Sequence, residues 1–160
     1  MGFELDITNN INAVLAQLEK NVAAANEAVG MAMETHVKEG CPVGTPESTM
    51  IKNYHGGSLR KSITHKVIGN EVYVGTNLRV NKAPYPVYVE VGTGIYATDG
   101  KGRKSPWVWR DKNGKYHFTR GMKPRHFMRN ALTKPEHIQE YKEIYEEQLK
   151  KRLKPIDKLI

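Results

Sequence analysis

The sequence predicts an α+β domain: a long N-terminal helix, then an antiparallel sheet of four to five strands built from hairpins, then a C-terminal helix. Three observations support this class. Apolar residues recur at helical spacing over 8–39. Two pairs of strand-like runs are each separated by a turn sequence that contains Gly, and the pattern of a new helix start occurs near 133–136. At 160 residues the chain can bury a core, and we expect a single domain over 1–160.

The segment 8–39 is predicted to form one amphipathic helix. Its apolar residues recur at steps of three and four, which places them on one face. They are Ile11, Val14, Leu15, Leu18, Val22, Ala25, Val29, Met33 and Val37. Thr8 or Asn9 can cap the start, and Gly40 can end the helix. A helix this long needs a partner along its length, and the residues that follow it, 41–57, are predicted to form a loop.

The first hairpin is predicted to turn at 69–70, where Gly and Asn interrupt two runs of β-forming residues. A two-residue loop there pairs Val67 with Val72 and His65 with Val74.

A further strand is predicted over 85–91, where apolar and polar residues alternate. The alternation puts Tyr88 and Glu90 on the polar face, and Pro86 favours an edge or the beginning of the strand. Together with the two hairpins, this strand completes the sheet predicted over 62–119.

The second hairpin is predicted to turn at Asn113-Gly114, a strong type I′ signal. A two-residue loop there places Trp109 opposite Phe118. The aromatic residues of the hairpin then share one face; they are Trp107, Trp109, Tyr116 and Phe118. The other face carries Val108, Arg110 and His117.

The chain is predicted to end in helix over 126–153. Thr133 to Glu136 has the pattern of a helix start, with Pro135 in the first turn. Acidic residues follow this start and basic residues precede the chain end, an arrangement that complements the helix dipole.

The net charge of +8 belongs to one segment. Residues 101–125 contain nine Lys or Arg against one acid, Asp111, which alone gives +8. The rest of the chain is therefore neutral overall. This distribution predicts an anionic partner at that segment.

No catalytic, metal or cofactor site is predicted. The six histidines have no metal-ligand spacing to another His, Cys or carboxylate. Cys41 has no evident basic partner to activate it, and Glu90 has no second acid or histidine near it in sequence. Gly100–Lys104 lacks the full phosphate-loop pattern. We therefore expect no enzymatic activity.

The single cysteine excludes a disulfide framework within the chain and favours folding in a reducing cytoplasm. The first ten residues lack the basic n-region of a signal peptide. No apolar run approaches the roughly 20 residues needed to span a bilayer. We expect no membrane contact.

The basic segment has two interpretations. Its cations are interleaved with aromatic residues, a mixture that suits neutralising a nucleic-acid backbone and stacking on bases. Alternatively, it is a solvated basic hairpin whose aromatic face packs on the sheet or on a neighbouring subunit. The predicted single aromatic face favours burial.

Short motifs follow one another in order over 35–135. They are Cys41-Pro-Val43, Gly57-Ser-Leu-Arg-Lys-Ser-Ile63, Tyr73-Val-Gly-Thr76, Tyr85-Pro-Val-Tyr-Val-Glu-Val-Gly-Thr-Gly94, Gly100-Lys-Gly-Arg-Lys-Ser-Pro-Trp107, Gly121-Met-Lys-Pro124 and Phe127-Met-Arg-Asn-Ala-Leu132. The ordered set resembles the phage "gene product 10-like" tail-component family of head–tail joining proteins. One departure is an enlarged loop from Thr45 to Gly56, which we interpret as a contact arm or a segment that is disordered before assembly.

The resemblance implies a structural virion protein of the phage neck or tail-completion region, located at the head–tail junction and assembled in the host bacterial cytoplasm. It implies a homo-oligomeric ring around the DNA passage, of sixfold symmetry or a multiple, that contacts other neck and tail proteins and catalyses nothing. The residues expected at subunit or partner contacts are Leu59, Arg60, Tyr85, Tyr88, Glu90, Gly92, Thr93, Trp107, Trp109 and Phe127. Those expected to face the DNA channel or an acidic partner are Lys101, Arg103, Lys104, Arg110, Lys112 and Lys115. The alternative function is a small basic nucleic-acid-binding protein that uses the second hairpin.

Overall fold

A computed structural model describes residues 2–45, 56–80, 82–111 and 113–153, without the side chains of residues 2–10, 152 and 153. The contact arm expected between Thr45 and Gly56 lies almost entirely outside these residues. None of the described helices is both long and apolar enough to cross a bilayer.

The elements in chain order are α1 (Gly2–Gly40), α2 (Ser58–Ser62), β1 (Thr64–Ile68), β2 (Glu71–Gly75), α3 (Tyr85–Val91), a 3₁₀ turn (Gly94–Tyr96), β3 (Trp107–Arg110), β4 (Tyr116–Thr119), α4 (Phe127–Thr133) and α5 (Pro135–Leu153). The strands form two separate antiparallel pairs, β1–β2 and β3–β4. The mixed class with a long N-terminal helix and a C-terminal helix is confirmed. The single sheet of four to five strands is wrong.

The chain groups into two compact units. The first unit comprises Met1–His36, Thr64–Gly75 and Leu132–Ile160; the second comprises Val37–Ile63 and Thr76–Ala131. The expectation of a single domain stays a prediction.

The long helix α1 ends at Gly40 as expected but begins at Gly2 rather than near residue 8. Thr8 and Asn9 therefore lie inside the helix. A capping residue permits a helix to start but does not force it, and an interior Thr or Asn costs only about 0.7 kcal/mol or less relative to Ala.

In the first unit, the β1–β2 register is the predicted one. Val67 pairs with Val72, and His65 pairs with Val74. These residues form the half-buried face of the hairpin, while their neighbours in sequence, apart from the half-buried Gly75, are exposed. The helix α5 begins at Pro135, within the predicted start, and contributes the buried Tyr141.

The core of the second unit draws on the end of α1, the segment around α2, and α3 and α4. Its buried apolar residues are Val37, Cys41, Leu59, Ile63, Val89, Phe127 and Ala131.

The strand predicted over 85–91 is wrong, because this segment is the helix α3. Pro84 caps the helix and Pro86 occupies its first turn, where a fixed φ and a missing N–H are compatible with helix. Pro86 and Val89 are buried three residues apart, which is a helical spacing. The alternating valines of this seven-residue segment favour a strand, but the tertiary packing of Pro86 and Val89 determines its conformation.

The hairpin β3–β4 exists, but its predicted register is wrong by one residue. Trp109 pairs with His117 rather than with Phe118. The N–H of Asp111 donates to the carbonyl of Lys115, so three residues rather than two separate the closing pair. Gly114, at φ 83°, supplies the left-handed residue that a three-residue loop requires.

Candidate functional site

A backbone clamp in the second unit positions the candidate site. The segment that follows α3 runs beside the segment that precedes α4. Thr93 N–H donates to Met122 O at 2.9 Å, and Ile95 N–H donates to Arg120 O at 3.1 Å. The hydroxyl of Thr93 also accepts from Met122 N–H at 2.9 Å. Thr93, expected at a subunit contact, thus holds two chain segments of its own unit together.

Glycine makes this close approach possible. A Cβ added at Gly94 would lie 2.0 Å from the carbonyl oxygen of Arg120, and one at Gly121 would lie 2.0 Å from that of Thr93. Gly94 also has φ 62°, a conformation that other residues rarely adopt. The Gly-Thr-Gly and Gly-Met-Lys-Pro motifs therefore meet each other in space.

Next to the clamp, Glu90 of α3 contacts the start of α4. Its two carboxylate oxygens accept the N–H groups of Met128 at 3.0 Å and Arg129 at 2.9 Å. An anionic acceptor at a helix N-terminus satisfies donors that lack a partner within the helix. This carboxylate, expected to be exposed or at an interface, orders the chain around Phe127.

The other residues expected at subunit contacts differ in accessibility. Leu59 and Phe127 are core residues, and Gly92 is also buried. Arg60 donates to Cys41 O at 2.8 Å. Tyr85, Tyr88 and Trp109 are exposed, while Trp107 is half-buried.

A cleft of about 330 Å³ opens between α3, the 3₁₀ turn and the loop around Gly102. Its apolar lining comes from Val87, Tyr88, Val91, Ala97 and Trp107, and its charged lining from Asp99, Lys101 and Arg103. The guanidinium of Arg103 lies over the Trp107 ring at 5.6 Å. The fold thus brings together six of the predicted residues: Tyr88, Gly92, Thr93, Lys101, Arg103 and Trp107.

The hairpin β3–β4 has two different faces. Because directly opposed residues share a face, Trp107, Trp109, His117 and Thr119 lie on one side. Val108, Arg110, Tyr116 and Phe118 lie on the other. On this second face Val108 is 59% exposed, Tyr116 69% and Phe118 68%. The expected single, buried aromatic face is therefore wrong: the one-residue register difference separates the tryptophans from Tyr116 and Phe118.

The first face is fixed by a contact between Asp111 and His117, which sequence analysis missed. The His117 Nε2 lies 2.8 Å from Asp111 Oδ2, and its ring stacks on Trp109 with 4.6 Å between centroids. Asp111 Oδ1 accepts the N–H groups of Asn113 and Lys115, each at 2.9 Å. The interaction with His117, followed by these backbone donors, lowers the pKa of Asp111. An Asp two residues before Asn-Gly was the available signal.

The described cations of the basic segment lie at the surface. Among the described residues of 101–125, every Lys and Arg is exposed, and none forms an ion pair with a described acid. They are Lys101, Arg103, Lys104, Arg110, Lys115, Arg120, Lys123 and Arg125. Lys112 lies outside the described residues.

The described residues contain no cluster of three or more His, Cys, Asp or Glu able to hold a metal ion. Cys41 is buried, and this burial raises the pKa of its thiol. A raised pKa disfavours the thiolate that nucleophilic chemistry needs.

A second surface lies on α1 in the first unit. Ile11, Leu15 and Leu18 are 53%, 51% and 41% exposed. They continue the helical spacing of the buried Ala25 and half-buried Val22 toward the N-terminus. The sequence predicted this stripe and its need for a partner, and within the described chain these three residues remain largely uncovered.

No protein-family model, curated protein or solved structure matches this chain.

Proposed function

We propose that this protein is a structural subunit of the neck or tail-completion region of a tailed phage, and that it assembles into a ring around the DNA passage at the head–tail junction. The ordered motifs of 35–135 resemble those of head–tail joining proteins, and this resemblance supports the phage neck as the structure in which the protein assembles. Other neck and tail proteins are its further partners.

The observation that carries the proposal is the exposed stripe of α1. Three large aliphatic side chains, Ile11, Leu15 and Leu18, stand in water on one face of a helix. Burying one such side chain is worth about 1.5–3 kcal/mol. Contiguous exposed apolar residues of this kind mark protein–protein contacts, and a subunit of a ring needs such a surface.

The contacts made by the motifs give separate support to the resemblance. Gly94 and Gly121 belong to different motifs, yet each permits the close approach of the other's segment. Glu90 belongs to one motif and caps the helix that contains the closing motif.

The test is the mass of the protein by light scattering at several concentrations, with electron microscopy of the same fractions. We expect a closed ring, and Leu15→Glu should reduce it to smaller species because the substitution places a charge in the buried contact. Ala16→Glu is the matched control, since it adds the same charge to an exposed neighbouring position of α1. A strict monomer at every concentration, or equal masses for both variants, would contradict a ring formed through α1.

A further inference from the structure

The second face of the β3–β4 hairpin carries Val108, Arg110, Tyr116 and Phe118, and we call it the outer face. It combines two aromatic rings with a cation. Tyr116 and Phe118 are two residues apart on β4 and point to the same side, so they are spaced by about 6.8 Å along the strand. The Nε of Arg110 donates to Gly114 O at 3.0 Å, and its guanidinium lies over the Tyr116 ring at 5.7 Å. Rings and guanidinium thus form one exposed surface.

This surface suits a partner that is both anionic and able to contact flat rings. The eight described cations of 101–125 are exposed and without an ion pair to a described acid. A strand of nucleic acid offers a phosphate at each step and a base that stacks on aromatic side chains. Aromatic residues on an exposed sheet face are a known way of stacking unpaired bases.

A second copy of the chain fits this surface less well. Outside 101–125 the chain has equal numbers of acidic and basic residues, so another copy brings no excess negative charge. Its most acidic element, α1, has six acidic and two basic residues, and two of these acids, Glu27 and Glu34, already contact His65 at 3.1 Å and 2.5 Å. In α5, Glu146 pairs with Lys150 at 3.3 Å, and Glu147 with Lys151 at 2.7 Å.

We propose that the outer face of β3–β4 binds single-stranded nucleic acid, with bases stacked on Tyr116 and Phe118 and phosphates neutralised by Arg110 and by neighbouring exposed cations of the basic segment. Stacking requires the open face of a base, which a duplex keeps inside its helix. A preference for single strands therefore separates this site from general attraction between cations and DNA. The site goes beyond the proposed function, because a ring around DNA needs no contact with bases.

The opposite face of the hairpin keeps this surface in place. Trp109 stacks on His117, and the Asp111 carboxylate holds both His117 and the turn. A two-stranded hairpin alone is only marginally stable in water. These contacts order the outer face before a ligand arrives, which lowers the entropic cost of binding.

The experiment measures fluorescence anisotropy of a labelled oligothymidylate, alone and annealed to its complement, at several salt concentrations with the full-length protein. We expect single strands to bind more tightly than the duplex. Tyr116→Ala and Phe118→Ala should each weaken binding of the single strand by about fivefold or more. Arg110→Glu should weaken binding and lower the slope of log affinity against log salt by about 0.7 for each lost phosphate contact.

Tyr73→Ala is the matched control, because Tyr73 is an exposed tyrosine on the other hairpin. It should bind like the unsubstituted protein, and circular dichroism should show all variants folded. Equal affinity of Phe118→Ala and the unsubstituted protein, or equal binding of duplex and single strand, would overturn the site. So would a change in oligomeric mass with no change in binding, since the face would then be a subunit contact. The ring is tested separately by Leu15→Glu.

Discussion

His65 on β1 contacts Glu34 on α1 through two of its nitrogens. Its backbone N–H donates to Glu34 Oε2 at 2.9 Å, and its ring Nδ1 lies 2.5 Å from the same oxygen. The other ring nitrogen lies 3.1 Å from Glu27 Oε1. Gly30 leaves room for this arrangement, because a Cβ there would lie 2.5 Å from the imidazole. The hairpin is thus fastened to the helix by a histidine between two carboxylates.

We predict that this contact makes the stability of the protein depend on pH. The hydrogen bond to Glu34 is the main cause that raises the pKa of His65, Glu27 adds to it, and burial opposes it. Because the pKa in the folded state is above the unfolded value of about 6.5, the stabilisation is fully present below that pH and is lost as pH rises through the folded pKa. Urea unfolding between about pH 5.5 and pH 9 should show the free energy of unfolding falling across this window.

Glu34→Gln should remove most of this pH dependence and cost about 1 kcal/mol at the acidic end, since it keeps the shape of the side chain but not its charge. Glu39→Gln, the same substitution at an exposed position of α1, is the control. If both variants keep the slope of the unsubstituted protein, His65 is not the responsible group.

We predict that Gly94→Ala strongly destabilises the second unit. The new Cβ would lie 2.0 Å from Arg120 O, and φ at this position is 62°. Gly100→Ala is the control, because Gly100 has φ 71° but no atom within 4 Å of an added Cβ. Gly100→Ala should therefore cost only the backbone strain, about 1–2 kcal/mol, while Gly94→Ala should cost more than about 3 kcal/mol. Similar midpoints of urea unfolding for the two variants would show that the close approach of the two segments is not required.

Sequence reasoning succeeded where the determinants are local. The end of α1 follows from Gly40 and the residues after it, and the β1–β2 register follows from a two-residue turn between β-forming runs. The position of the basic segment is also local, because charge can be counted along the chain.

Sequence reasoning failed where a segment is compatible with two local conformations, and a tertiary contact or a side-chain hydrogen bond determines which of them forms. Val89 alternates with polar neighbours as in a strand, but its burial with Pro86 in the second unit favours a helix. Likewise, Asn113-Gly114 suits a two-residue loop, but the Asp111 carboxylate accepts two N–H groups of the turn and selects a longer one. The faces of β3–β4, and hence the candidate binding surface, depend on that selection.

The last prediction concerns this selection by Asp111. Asp111→Ala removes the acceptor for Asn113 N–H, Lys115 N–H and His117, so β3–β4 should open more often. We expect hydrogen exchange of the β3–β4 amides to accelerate by about tenfold, with the β1–β2 amides as an internal control that stays unchanged. In the unsubstituted protein, cross-strand nuclear Overhauser effects should connect Trp109 with His117. Effects connecting Trp109 with Phe118 instead would restore the two-residue loop and place all four aromatic residues on one face, which would contradict the separate outer surface.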